Sequence, residues 1–161
     1  MEINQPFHLM KWIEENKEKL QPPVCNQVLY QSDDYIVMII GGPNKRKDFH
    51  VNLGEELFYQ FKGKAEVVVK HEDRFETICI NEGEIFLLPQ KIPHSPQRFQ
   101  DTIGLVIEKV RKIDEEDTFQ WYCDQCGHLL YEESLHVSNI VQQLPPVFER
   151  FYSHKDHTTC R

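Results

Sequence analysis

The chain has 161 residues, of which 40% are hydrophobic and 11% aromatic, and it carries a formal net charge of −8 at neutral pH. A chain of this size and composition can bury the core of one domain, which excludes wholesale disorder. The acidic balance argues against nucleic acid or an anionic membrane as the main partner, and Lys45 and Lys47, in its one basic cluster, are predicted to lie in a solvated loop.

The first predicted element is a short helix over residues 6–20, because Phe7, Met10 and Ile13 fall on one stripe and Pro6 suits a first helical turn. The QPP sequence at 21–23 ends it. Short β-type runs follow, separated by turns rich in glycine and proline. Strands at this spacing predict an all-β sandwich or barrel. The predicted strands cover residues 28–30, 35–40, 56–61, 65–71, 75–80, 84–89 and 103–110.

The character of the sequence changes after about residue 115. Residues 121–137, WYCDQCGHLLYEESLHV, carry a cysteine pair, and residues 138–161 are amphipathic, with a helix predicted around 147–152. We therefore expect residues 1–115 to form a barrel with its N-terminal helix. Residues 116–161 should form a small, helical, cysteine-containing extension packed on that barrel.

The cellular compartment is only weakly constrained by the sequence. No run approaches the ~20 apolar residues that a membrane span needs, and the first residues lack the uninterrupted apolar segment of a signal peptide. We expect a cytoplasmic protein, in which the cysteines are metal ligands, catalytic groups or buried residues rather than disulfides. Cys25 and Cys79 lie in apolar contexts and are predicted to be core residues.

The stretch DFHVNLGEELFYQFKG, residues 48–63, places His50 six residues before Glu56. In an extended strand, residues an even number apart point to the same face. Glu56 rather than Glu55 is therefore the predicted inward partner of His50, provided that the bend at 53–54 preserves the alternation.

A second half of the site is predicted at GEIFLLPQKIPH, where a β-run and a proline-bounded turn end at His94. Each histidine alone would more often be a surface residue or one satisfied by a hydrogen bond. Together with Glu56, however, His50 and His94 make a two-histidine, one-carboxylate triad, which suits a divalent first-row metal and leaves three positions open. Because Asn52 supplies no third imidazole, Fe(II) is favoured over Zn(II).

A second, structural metal site is predicted at the C-terminus. Cys123 and Cys126 have the spacing of a tight turn that brings two thiolates onto one ion, and a tetrahedral site needs two further ligands. Cys160 can be one of them. The fourth is either missing or supplied by His157 or His154, and an incomplete or empty site is the alternative.

Two motifs, E-x6-G over residues 56–63 and G-x5-P-x4-H over residues 83–94, resemble the two halves of the cupin signature, with Asn52 where many cupins have a second histidine. Longer segments resemble the 3-hydroxyanthranilate 3,4-dioxygenase family in its single-cupin form, from PPVCN at 22–26 to FERFY at 148–152. The second cysteine of the last knuckle is missing. The matching segments include GGPNKRKDFHVN, EELFYQFKG, EGEIFLLPQKIPHSPQRF, LVIEKVR and FQWYCDQCGH.

This resemblance implies a jelly-roll cupin barrel, a homodimer and an Fe(II)-dependent dioxygenase with O2 as co-substrate. The implied reaction opens the ring of 3-hydroxyanthranilate, a small aromatic substrate, to 2-amino-3-carboxymuconate semialdehyde. That product closes to quinolinate on the kynurenine route from tryptophan to NAD. A second iron or zinc ion is implied at the cysteine site.

The resemblance also implies site residues by position. The iron ligands fall on His50, Glu56 and His94. Arg46 and Arg98 hold the substrate carboxylate, and Glu108 binds the ring substituents, although pairing with Lys109 or Lys112 is the alternative for Glu108. Two other functions remain open at this point: a cupin dioxygenase for another aminophenol or catechol, and a non-enzymatic metal-binding or ligand-sensing cupin. Further pocket positions are Asn26, Asp48 and Phe58.

Overall fold

The computed structural model describes residues 3–22 and 25–160, with the side chains of residues 140 and 141 left out. Pro23, at the predicted end of the first helix, and Val24 lie outside the described residues. Strands dominate the fold, and the helices lie near the two ends of the chain. The helices are α1 (Leu9–Glu15), a 3₁₀ helix (Lys17–Leu20), α2 (Ile140–Ser153) and α3 (Lys155–Thr158). The strands are β1 (Asn26–Gln31), β2 (Tyr35–Ile40), β3 (Phe49–Val51), β4 (Glu56–Lys62), β5 (Ala65–His71), β6 (Arg74–Ile80), β7 (Ile85–Leu88), β8 (His94–Arg98), β9 (Ile103–Lys109), β10 (Asp117–Tyr122) and β11 (Leu129–Leu135).

The strands form two antiparallel sheets. Sheet A has the order β1-β2-β9-β4-β7, and sheet B has the order β11-β10-β3-β8-β5-β6. Successive strands therefore alternate between the sheets in places, as at β3 and β4, where the chain leaves sheet B and enters sheet A. This crossing confirms the predicted barrel-like arrangement of two facing sheets.

Period-two alternation decides which side chains point between the sheets. Along β4, Glu56, Phe58 and Gln60 are buried, whereas the intervening side chains are only partly buried. The inward apolar side chains form one core cluster, in which Met38, Phe58 and Val106 of sheet A meet Val67 and Val69 of sheet B. The same inward faces carry polar residues further along the strands, so one part of the barrel interior is apolar and another is charged.

The N-terminal helix covers part of the outer face of sheet A, where Ile13 and Leu20 pack on Ile39. The prediction of a helix from residue 6 is wrong at its start, because the side chain of His8 accepts a hydrogen bond from the backbone N–H of Lys11 and caps a helix that begins at Leu9. No helix in the described part of the chain is long and apolar enough to cross a membrane. The prediction of a core position is confirmed for Cys25 but wrong for Cys79, which is exposed.

The C-terminal extension is continuous with the barrel. β10 pairs with β3 of sheet B, and α2 packs against β10 through Val147 and Phe151, which contact Trp121. The rings of Trp121 and Phe151 are stacked with 4.6 Å between centroids. A division between residues 115 and 116 therefore separates β3 from β10, which are neighbouring strands of sheet B.

Replacing Trp121 with alanine tests how far the extension belongs to the core. Trp121 is 2% exposed, so its truncation should lower the free energy of unfolding by about 3–5 kcal/mol. We expect one transition in urea for the wild-type chain and for this variant. Tyr152→Ala, on α2 beside Phe151 but 57% exposed, should cost less than about 1 kcal/mol. Two separate transitions would instead support independent units.

Candidate active site

His50, Glu56 and His94 meet in the interior of the barrel. His50 lies on β3 and His94 on β8, directly opposite each other in sheet B, whereas Glu56 begins β4 in sheet A. All three side chains are buried, and one potential ligand atom of each lies within 4.8 Å of the others. Glu55, by contrast, is exposed. The prediction that Glu56 rather than Glu55 points inward agrees with this geometry. However, His50 and Glu56 meet because they lie on two facing sheets, not because they lie along one strand.

Each member of this triad is oriented by a second hydrogen bond. His94 Nδ1 lies 2.9 Å from the carbonyl oxygen of Ile92, which leaves Nε2 3.2 Å from Glu56 Oε1. His50 Nε2 lies 2.6 Å from Asp117 Oδ2, which leaves Nδ1 3.7 Å from the same glutamate oxygen. Asn52 donates its side-chain N–H to Glu56 Oε1 over 2.6 Å. Asn52, which stands where a third histidine could have been, therefore holds the Glu56 carboxylate in place.

The electrostatics favour an ionised carboxylate in this buried place. Burial alone would raise the pKa of Glu56, but His94, His50 and Arg111 outweigh it and hold that pKa at about 2. Burial likewise opposes protonation of His94, yet Glu56 raises the pKa of that imidazole. Glu56 is therefore ionised at neutral pH, which is the form of a carboxylate that binds cations.

A cavity of about 600 Å³ opens beside the triad. Its walls come from both sheets and from α2, which contributes Leu144, Pro145 and Phe148. That the C-terminal extension lines this cavity was not predicted, although the amphipathic pattern of residues 138–161 is a signal that could have indicated it. Predicted residues lining the cavity are Asn26, Arg46, His50, Glu56, Phe58, His94, Arg98 and Glu108.

Arg98 has two unused donors in the interior. Its side chain is almost fully buried, and Nη1 donates to Gln60 Oε1 over 3.0 Å. Nε and Nη2 are buried and have no hydrogen-bond partner among the described residues. Burial lowers the pKa of Arg98 to about 10, so the guanidinium still carries its charge at neutral pH. Because Nε and Nη2 form the edge that binds carboxylates in a bidentate way, Arg98 is set up for an anion.

Strand β9 passes close to Arg98 at Gly104, which has no side chain. A Cβ at this position would lie 2.4 Å from Arg98 Nη1 and 2.8 Å from Gln60 Oε1. Glycine therefore allows β9 to pass close to the Arg98–Gln60 pair. Neither Gln60 nor Gly104 was singled out from the sequence, because nothing in their local pattern distinguishes them.

Arg46 lies at the cavity wall in an ion pair with Asp48. Nε donates to Asp48 Oδ1 over 3.1 Å, and Nη2 donates to Oδ2 of the same carboxylate. Burial alone would raise the pKa of Asp48, but Arg46 outweighs it and lowers that pKa. Asp48, predicted as a pocket position, does not line the cavity. The contact that the structure shows for its carboxylate is the ion pair that holds Arg46.

Glu108 faces the cavity from β9, and its partner is Arg111, not Lys109 or Lys112. Arg111 Nη1 donates to Glu108 Oε1 over 2.5 Å, and the same guanidinium contacts Asp117. Burial, followed by the charge of Glu56, raises the pKa of Glu108 even against this pairing. Local sequence patterns do not indicate Arg111 and Asp117, because their contacts with Glu108 and His50 depend on the fold.

Cys123, Cys126 and Cys160 form a second cluster, at the surface, with their sulfur atoms within 4.8 Å of one another. The backbone N–H groups of Cys126 and Gln125 lower the pKa of Cys123, which favours a thiolate ligand. The structure does not bring His157 into this group. The Nδ1 of His157 lies 3.1 Å from the carbonyl oxygen of Arg150, and its ring stacks on Tyr131.

The donors of the buried triad fit an iron ion. The two imidazoles and the carboxylate are each held in one orientation by a hydrogen bond. This set of donors matches the facial triad of non-haem Fe(II) oxygenases. Hydrogen bonds to the remaining ring nitrogens complete the arrangement that orients metal-binding histidines.

Comparison with known proteins agrees with this geometry. Residues 1–152 match the family model described as 3-hydroxyanthranilic acid dioxygenase. A protein named 3-hydroxyanthranilate 3,4-dioxygenase from Bacillus thuringiensis (strain Al Hakam) is 44% identical, over 98% of this chain and 88% of its own length. The chain belongs to the 3-hydroxyanthranilic acid dioxygenase family.

A second relative agrees with this family, and a solved structure agrees with the fold. The protein of the same name from Xanthomonas euvesicatoria pv. vesicatoria (strain 85-10) is 48% identical, over 96% of this chain and 88% of its own length. A solved cupin-2 domain protein from Shewanella frigidimarina NCIMB 400 superposes with a TM-score of 0.50 at 14% identity, covering 60% of this chain and 91% of its own. The predicted cupin fold of this dioxygenase family member is confirmed.

Proposed function

We propose that this chain is a 3-hydroxyanthranilate 3,4-dioxygenase whose iron is held by His50, Glu56 and His94. The observation that carries the proposal is the buried, unpartnered Nε–Nη2 edge of Arg98, a residue that lines the same cavity as the triad. A metal triad alone would fit many cupins. A guanidinium edge that lacks an anion beside it calls for a substrate that carries a carboxylate.

Bound at the triad, Fe(II) would supply open positions for the adjacent amino and hydroxyl groups of the substrate and for O2. Arg98 binds the substrate carboxylate through its free edge, and Arg46, held by Asp48, lies at the same cavity wall. Two guanidinium groups on one planar carboxylate fix the rotation of the ring. This orientation would turn the ring carbons that are to be cleaved toward the triad residues that would hold the metal.

Glu108 handles the proton of the ring substituents. Its carboxylate faces the cavity, and burial together with the charge of Glu56 raises its pKa, which makes it a stronger base than an exposed carboxylate and suits it to accept a proton from the substrate hydroxyl at Oε. Arg111 keeps Glu108 in place through its Nη1 hydrogen bond. Leu144 and Phe148 of α2 close part of the cavity with apolar surface, which excludes water from the reacting ring.

A comparison of two substrates tests this proposal. 3-Hydroxyanthranilate carries the carboxylate that Arg98 would bind, whereas 2-aminophenol keeps the amino and hydroxyl groups and lacks it. We expect kcat/KM for 2-aminophenol to be lower by about 10²–10³-fold, the value of one buried charge pair. Equal rates would favour a dioxygenase for another aminophenol. Binding of either compound without any turnover by the iron-loaded protein would favour a ligand-sensing cupin.

We also propose that Cys123, Cys126 and Cys160 hold a second, structural iron or zinc ion. His157 Nδ1 is directed to the carbonyl oxygen of Arg150 and its ring stacks on Tyr131, which favours solvent as the source of the fourth ligand. Thiolates that bind metal require a reducing compartment, which supports a cytoplasmic location.

The change Cys123→Ser tests the structural role of this cluster. We expect lower metal content and a lower thermal midpoint, because one thiolate ligand is lost. The rate of ring cleavage by the iron-loaded, folded protein should stay within about twofold, because surface changes remote from an active site have small effects. Cys79→Ser, at an exposed cysteine outside the cluster, is the control. A large loss of activity at unchanged fold would contradict a structural role.

A homodimer is proposed from the outer face of sheet A. Leu57 of β4 lies between Ile107 of β9 and Leu87 of β7, and Tyr59 lies between Leu105 and Ile85 in the next row. Ile85 is 65% exposed and Leu87 is 52% exposed. Two adjoining rows of apolar side chains on a sheet face are typical of a subunit interface.

Leu87→Glu tests the dimer. We expect wild-type protein to sediment as a dimer and this variant as a monomer, because a carboxylate would be buried in an apolar contact. Ile113→Glu, at a 91% exposed position of the β9–β10 connection, should leave the dimer intact. A wild-type monomer at micromolar concentration would contradict the proposal.

A further inference from the structure

Asp117 lies behind the metal triad and contacts no part of the cavity. It is fully buried at the start of β10 and accepts a hydrogen bond from His50 Nε2 over 2.6 Å. The ring of Phe119, two residues further along β10, stacks on His50 with 5.0 Å between centroids and an angle of 6° between the planes. β10 therefore restrains the edge and the face of one triad histidine.

Arg111 connects this restraint to the opposite sheet. Its Nε lies 3.0 Å and its Nη2 2.7 Å from Asp117 Oδ2, while Nη1 donates to Glu108 Oε1 over 2.5 Å. The Arg111 side chain is 7% exposed. One buried guanidinium therefore lies between a carboxylate of β9 in sheet A and a carboxylate of β10 in sheet B.

We propose that Arg111 and Asp117 are a positioning pair that couples the metal ligand His50 to the substrate-facing carboxylate Glu108. Asp117 fixes the ring of His50 so that Nδ1 faces Glu56. Arg111 holds Asp117 and Glu108 at a fixed separation. An ordinary structural ion pair would not have a metal ligand at one end and a cavity carboxylate at the other.

The part of this proposal that concerns Glu108 rests on the proposed function, whereas the part that concerns His50 can be measured without turnover. We therefore choose Mn(II) binding to the metal-free protein, followed by the electron paramagnetic resonance signal of the free ion. Mn(II) prefers oxygen and imidazole ligands to thiolates, so the cysteine cluster interferes little. Michaelis constants for 3-hydroxyanthranilate are measured on the iron-loaded variants in parallel.

We expect Asp117→Ala to weaken Mn(II) binding by about 10–100-fold, as for other partners of metal-binding histidines. Asp117→Asn should recover part of this loss, because its side-chain oxygen still accepts the bond from His50. Arg111→Lys should weaken Mn(II) binding and raise the KM together, although Arg111 touches neither metal nor substrate. Arg150→Lys, which alters a guanidinium–carboxylate pair with Glu133 outside the cavity, should change neither quantity.

Folded Arg111→Lys protein with wild-type Mn(II) affinity would overturn the proposal, as would a changed Mn(II) affinity with an unchanged KM. If the Asp117 variants fail to fold, Arg111→Lys alone decides. A wild-type protein that does not turn over 3-hydroxyanthranilate, but whose Mn(II) affinity falls in Arg111→Lys, would refute the proposed function and leave the positioning of His50 supported.

Discussion

Replacing Arg98 with glutamine should raise the KM for 3-hydroxyanthranilate and lower kcat/KM by about 10²–10³-fold, because a buried charge pair with the substrate carboxylate is worth about 3–4 kcal/mol. Glutamine has a similar length but offers neither the charge nor the two-donor edge. The iron content should not change, since Arg98 is not one of the triad residues. Steady-state kinetics and metal analysis of the purified variant provide the two measurements.

Two further variants make this result specific. Arg98→Lys keeps the charge without the planar fork, so it should recover only part of the lost kcat/KM. Arg74→Gln removes an exposed arginine at the start of β6 and should leave the kinetics unchanged. Loss of iron in Arg98→Gln would show that the assigned role is wrong. An unchanged KM would show that the carboxylate binds elsewhere.

Replacing Glu56 with glutamine should abolish iron retention and lower the rate of ring cleavage by about 10³-fold or more. Metal-assisted chemistry contributes several kcal/mol to such a reaction, and each 1.36 kcal/mol corresponds to a factor of ten. The change removes the negative charge that His94 and His50 face while keeping the shape of the side chain. Iron per chain after reconstitution and gel filtration, together with oxygen uptake, measures both effects.

Glu55→Gln is the matched control, because it makes the same chemical change at the adjacent, exposed position. It should keep full iron content and full activity. Iron binding that survives in Glu56→Gln, or that is lost in Glu55→Gln, would contradict the assignment of the ligand. This pair also tests the prediction from alternation along the strand, since the two residues differ in little except the direction of their side chains.

The central strands could be predicted from the sequence because their side chains alternate. β2, β5 and β9 begin where the apolar runs begin, since each presents one face to the core. β3 and β8 were not predicted as strands, and the prediction of a helical extension is wrong for residues 117–122 and 129–135, which form β10 and β11 of sheet B. β3 has only three residues, and β8 reads HSPQR, with polar side chains and Pro96 inside it. Pairing with neighbouring strands holds both in place, and local propensity does not reveal such pairing.

The part of the candidate site that lies within continuous sequence motifs could be predicted. The triad residues and the arginines were found because they lie in short segments that resemble a known family. Asp117 and Arg111 were missed, since their contacts join β9 to β10 and depend on the fold. Lys109 was considered as a partner of Glu108 because it is adjacent in sequence. The structure places Arg111 there instead, at a position that no strand pattern covers.

The most direct test of the proposed function is oxygen uptake by Fe(II)-reconstituted protein with 3-hydroxyanthranilate, followed together with the absorbance of the ring-opened semialdehyde. We expect one O2 to be consumed for each substrate molecule and the semialdehyde to appear at the same rate. If the protein holds iron at His50, Glu56 and His94 and still consumes no oxygen with this substrate, the proposed function is wrong.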